Sequence, residues 1–132
     1  TVDPILVASH IVVALQSLVS RNTNPLDSAV VTVGSIHAGT KHNIIPSEAR
    51  MQLTVRSYSD EVRARMLASI ERVTRGICQA AGVPSELAPI VEVKDEYTPA
   101  LINDPELTDR IVGLFGRVFG ADKIIEREAM MG

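Results

Sequence analysis

From Glu48 to Arg56 the sequence alternates without a break. Ala49, Met51, Leu53 and Val55 fall on one side; Glu48, Arg50, Gln52, Thr54 and Arg56 fall on the other. A side-chain period of two is what a strand with one buried and one wet face requires. Upstream, Val31 and Val33 alternate with Thr32 and Gly34, and β-branched residues favour the same conformation. The stretch Ala29–Arg56 therefore predicts two strands joined by the connector Ser35–Pro46, which is polar and too long for a tight hairpin. Every other element has to be placed around that pair.

The flanking segments read as helices. Asp3-Pro4 combines a capping carboxylate with a proline suited to the first helical position, and the pattern runs to about Ser20. Ile5, Leu6, Val7, Ile11, Val12, Val13, Leu15, Leu18 and Val19 wrap most of that helix, which predicts two buried faces. One face would cover a sheet; the other would meet a partner subunit or the rest of a larger protein. Asn22–Asp27 is a turn-rich link into the first strand. Ser57–Ser59 open a second helix with Asp60 and Glu61 in its first turn and a core stripe of Val62, Met66, Ile70, Val73 and Ile77. Gly82 is placed for a left-handed C-terminal cap.

Leu87–Tyr97 then reads as a strand. Asp104-Pro105 repeats the cap-plus-proline device ahead of a helix striped by Leu107, Ile111, Leu114, Phe115 and Val118 and ended by Gly120, and Lys123–Glu128 reads as a short strand. The order α-β-β-α-β, then α-β, needs one strand in front to complete β-α-β-β-α-β. The expected fold class is thus α+β, a ferredoxin-like two-layer sandwich with its first strand missing, plus an appended helix and strand. The missing strand is a central one, so a neighbouring chain, the Lys123–Glu128 strand or a piece outside this chain must fill its place.

Composition narrows the function. With 45% hydrophobic residues but only two Tyr, two Phe and no Trp, the core must be aliphatic. A net charge of −3 with scattered basic residues argues against nucleic-acid binding. No apolar run reaches the ~18 residues of a membrane span. The lone Cys78 sits in a helical pattern as a small buried hydrophobe, which excludes a disulfide framework and points to a cytoplasmic protein. The start at Thr1 without Met and the stop at Gly132 without any terminating signal predict a chain cut from a longer one.

Nothing in the sequence forms a self-sufficient active site. His37 and His42 lack the helical spacing and nearby acidic or thiol partner of a metal site, so no metal ligand is assigned; polar loop histidines, or histidines reaching a bound substrate, are the better readings. Gly34-Ser35 is no nucleophile elbow, and Gly34…Gly39 is no phosphate loop. Asn43 stands before Ile44-Ile45-Pro46, a stiff frame for an amide with two donors and an acceptor. Arg56 ends its strand on the wet face, where a guanidinium fork can clamp a carboxylate. Taken by themselves, the two also fit a turn-forming asparagine and a solvated strand-end arginine.

The run Gly34-Ser35-Ile36-His37-Ala38-Gly39-Thr40-Lys41-His42-Asn43-Ile44-Ile45-Pro46, followed by Thr54-Val55-Arg56, resembles the lid or dimerisation domain of the M20 metallopeptidases. The closest branch is the amidohydrolases of N-acyl amino acids and hippurate. The opening Val2-Asp3-Pro4-Ile5, the Ala29–Gly34 strand and the closing Met131-Gly132 extend the similarity over nearly the whole chain. The resemblance implies a substrate-gripping, homodimer-forming domain (residues 1–98) and a return segment towards a catalytic domain (99–132). It further implies a parent enzyme with two divalent metals, zinc or manganese, acting on a small N-acyl amino acid. Asn43 and Arg56 match the lid residues associated with substrate binding, and His42 is placed with them. The family's metal-binding stretch, its carboxylate base and its lid histidine have no counterpart in these residues, so the chain alone is expected to be inactive. The alternative is a free-standing ferredoxin-like module that binds an amino acid or dimerises.

Overall fold

The structure, a computed structural model, describes residues 1–24 and 27–127. Helix α1 spans Pro4–Ser20, strand β1 Ala29–Ala38, strand β2 Ala49–Ser57, helix α2 Asp60–Ala80 and helix α3 Pro105–Phe119. The fold is α+β, with the helices and a two-stranded antiparallel sheet compatible with a ferredoxin-like dimerisation domain. Pro25 and Leu26 of the predicted link, and the Glu128 and Met131-Gly132 parts of the sequence reading, lie outside the described residues.

The chain divides into two compact units, Thr1–Tyr97 and Thr98–Gly132. In the first, α1 and α2 cover one face of the sheet. The capping reading is met atom by atom: the Asp3 carboxylate accepts from the Ile5 amide at 2.9 Å, and Ser59 Oγ accepts from the Val62 amide at 3.4 Å. Helix α2 ends in a Schellman turn, where Gly82 with φ +73° donates to Gln79 and Val83 donates to Cys78.

Packing follows from spacing. Val7, Ile11, Leu15 and Leu18 line the buried side of α1, and Leu15 and Leu18 are fully buried. They meet Val62, Met66, Ile70 and Cys78 of α2, while Val31, Val33, Met51, Leu53 and Val55 close the core from the sheet. The buried row of α2 continues in steps of four through Thr74 to Cys78. Val73 and Ile77, predicted as the C-terminal end of the stripe, flank the buried row and are half-buried. A row in steps of four is one of the ridges a helix presents to a packed neighbour, and it carries the polar Thr74 inward. Of the two buried faces predicted for α1, one is buried in this chain and the other is not: Ile5, Leu6 and Val13 are exposed.

Two expected strands are absent among the described residues. Leu87 closes a short 3-10 turn, Ser85–Leu87, and 88–97 runs on without a ladder. A strand is held by a neighbour; in the ferredoxin-like order this one pairs with the first strand, which these residues do not contain. Pro89 also removes a donor. Lys123 likewise ends a 3-10 turn, Ala121–Lys123, and 124–127 pairs with nothing described.

In the second unit α3 is capped by Asp104, whose carboxylate accepts from the Leu107 amide at 2.8 Å, and it ends at Gly120 with φ +99°. Its stripe of Leu107, Ile111, Leu114, Phe115 and Val118 forms as predicted but is exposed, and Phe115 and Phe119 meet edge to face at 5.7 Å.

Candidate functional site

The sheet has two unlike faces. Its inner face carries the aliphatic residues under the helices. Its outer face is polar because β2 alternates strictly and β1 answers it pair by pair: Val30 with Arg56, Thr32 with Thr54, Ser35 with Gln52, His37 with Arg50. The register shifts between Val33 and Ser35, leaving Gly34 as an extra residue. Without that bulge Ser35 and His37 would share the inner face with Val31 and Val33, and Ile36 would turn to the outer face. The bulge lets β1 run on to Ala38, so strand replaces the first four residues of the predicted connector and the loop is 39–48.

On the outer face Ser35 Oγ donates to Gln52 Oε1 at 2.9 Å, and Arg50 pairs with Glu48 at 3.0 Å in full solvent. Arg56 is exposed, and among the described residues it has no ion-pair partner. Its fork is free to take a carboxylate from outside the chain. Thr54 and Thr32, the next outer-face pair along the strands, add hydroxyls near it, and Gln52 and Ser35 lie one pair further on. The sequence reading assigned the β2 half of this face but missed the β1 half, whose one signal was a glycine inside a β-branched run.

His42 and Asn43 lie exposed in the loop. The base of the loop lies near α1: a side chain on Gly39, which has φ +73°, would sit 3.8 Å from Ile5 Cδ1 and 3.9 Å from Pro46. The structure therefore brings Asn43 and His42 together, and it separates both from Arg56, which sits at the far end of β2. On the helical side an open groove of about 350 Å³ runs between the first turn of α1 and the last of α2, lined by Val2, Leu6, His10 and Ile77. Among the described residues no three of His, Cys, Asp and Glu converge as metal ligands, and no helix is long and apolar enough to cross a membrane.

Comparison with known proteins adds to this geometry. Residues 1–79 match the family model described as peptidase dimerisation domain. Over all 132 residues the chain is 31% identical to Thermostable carboxypeptidase 2 of Saccharolobus solfataricus, of which it spans 32%. It is 45% identical over 83 residues to N-acetyldiaminopimelate deacetylase of Brevibacillus brevis, covering 59% of this chain and 22% of that protein. Among solved structures, the Bacillus subtilis YXEP protein, a dinuclear metal binding peptidase from the M20 family, superposes with a TM-score of 0.64 at 27% identity. That match covers 89% of this chain and 29% of the other.

Proposed function

This chain belongs to the M20 peptidase dimerisation domain family, and on that premise we propose that it is the substrate-gripping, homodimer-forming part of a metal-dependent amidohydrolase. The parent enzyme hydrolyses an N-acyl amino acid to a carboxylic acid and an amino acid, in the cytoplasm. Residues 1–98 form the lid, and 99–132 lead back towards the catalytic domain. Such hydrolysis needs a metal-activated water and an acceptor for the charge that grows on the carbonyl oxygen. Among the described residues no three of His, Cys, Asp and Glu converge as metal ligands, so none of them is assigned to the two divalent metals, which this reading places in the rest of the enzyme.

What this chain contributes is grip. Arg56 clamps the substrate carboxylate in two parallel hydrogen bonds. Asn43 donates its amide to the carbonyl under attack, with His42 beside it in the loop. The observation that supports this reading best is the exposed Arg56 guanidinium on a polar face, without an acidic partner among the described residues. The curated relatives, about three times the length of this chain, fit a part rather than a free-standing module.

The test is kinetic. In the intact enzyme Arg56→Ala should lower kcat/KM on N-acyl amino acids by about 10- to 100-fold, the worth of hydrogen bonds to a charged group, with metal content unchanged. An unaltered kcat/KM would remove Arg56 from the site. The isolated chain supplied with zinc or manganese should give no turnover.

A further inference from the structure

The outer face of the sheet is polar at every paired position but one. Thr32 stands opposite Thr54, Ser35 opposite Gln52 and His37 opposite Arg50; at the far end Val30 stands opposite Arg56. Val31, Val33 and Val55 pack towards the core, whereas Val30 is 37% exposed and contributes nothing to it. Cross-strand neighbours hold their Cβ atoms about 5 Å apart, so the valine methyls lie beside the root of the arginine side chain. An apolar group is thus left in water next to a guanidinium that has no ion-pair partner among the described residues. The charges around the pair are sparse as well. Thr32 and Thr54 are neutral, and the next charge on this face of β2 is Arg50, roughly 20 Å away at about 3.3 Å per residue. Asp27 is taken by Arg65 at 2.6 Å, and Asp60 and Glu61 belong to α2, which packs on the opposite face.

We infer that Val30 is a specificity-determining residue beside Arg56, selecting substrates whose amino acid part carries a neutral aliphatic side chain. It rests on the reading of Arg56 as the carboxylate clamp. In an amino acid the carboxylate and the side chain leave the same Cα, so a clamp on the first fixes the second close by. Once the α-carboxylate has taken the Arg56 fork, no described group on this part of the face remains to pair a second carboxylate or a cationic side chain. Covering either charge unpaired is costly. An aliphatic side chain instead covers the Val30 methyls, and both surfaces leave water together.

The experiment measures kcat/KM in the intact enzyme on N-acetylglycine, N-acetylleucine and N-acetylglutamate. Val30→Thr keeps the β-branched shape and replaces a methyl by a hydroxyl; it should lower the leucine-to-glycine ratio by about tenfold, the worth of a small apolar contact. Val30→Lys places a second cation beside Arg56 and should raise the glutamate-to-leucine ratio by at least as much. Position 30 is exposed, so both variants should fold. Unchanged ratios in the two variants overturn the inference. So does an equal loss on all three substrates, which would make Val30 only a support for the arginine stem. Arg56→Ala separates the two levels: an unaltered kcat/KM there removes the clamp itself, whereas a loss there with unmoved Val30 ratios removes the selectivity alone.

Discussion

The Ser35 hydroxyl bonds to Gln52 Oε1 at 2.9 Å across the outer face of the sheet, and it can do so only because Gly34 is bulged out of the ladder. One extra residue thus decides whether a serine and a histidine face the polar outer side of the sheet or its inner side. Deleting Gly34 restores regular pairing and drives Ser35 and His37 inward while Ile36 turns out. That deletion should lower the urea midpoint at unchanged slope, since the inner face at this end of β1 is only partly covered. Gly34→Ala should be mild, since an added Cβ meets only Gln52 O, at 3.9 Å, and its melting temperature should stay within a few degrees of wild type.

Leu18 is fully buried between the helices and the sheet. Truncating it leaves a cavity in an aliphatic core without aromatic bulk to collapse into it. Leu18→Ala should therefore lose about 2–5 kcal/mol, read as a lower urea midpoint at unchanged slope. Val13→Ala, on the exposed side of the same helix, should shift that midpoint by a small fraction as much.

How much of this was legible depended on whether the information was local. Alternation in Glu48–Arg56 and the caps at Asp3, Ser59 and Asp104 are written in neighbouring residues, and the elements they mark all form. Leu87–Tyr97 carries strand-like residues, yet a strand exists only with a partner, and Ile90 stands almost fully exposed. The site divides the same way. Arg56 on the wet face follows from period two. Its separation from Asn43 depends on β1 continuing past the bulge to Ala38, which no residue count in the connector reveals.

Gly82 isolates the cost of backbone conformation. It holds φ +73° in the Schellman turn, and a Cβ there would meet nothing within 4 Å. Gly82→Ala therefore adds no clash, only the strain of a left-handed residue. It should cost about 1 kcal/mol in chemical denaturation, and Gly82→Asn should recover part of that.

Cys78 gives the fold a pH signature. Burial against the α1–α2 core pushes its thiol pKa up, so the folded state keeps the proton to higher pH than the unfolded chain, whose thiol titrates near 8.5. A raised folded pKa contributes stability that is fully present below the unfolded value and is lost as pH climbs above it. The urea midpoint should thus fall above about pH 8.5, and Cys78→Ala should flatten that dependence while lowering stability at neutral pH through the small cavity it leaves. The same burial predicts that a disulfide reagent labels Cys78 no faster than the chain opens, so its rate should track unfolding across a urea series. Immediate labelling in native buffer would place the thiol outside the core and remove both effects.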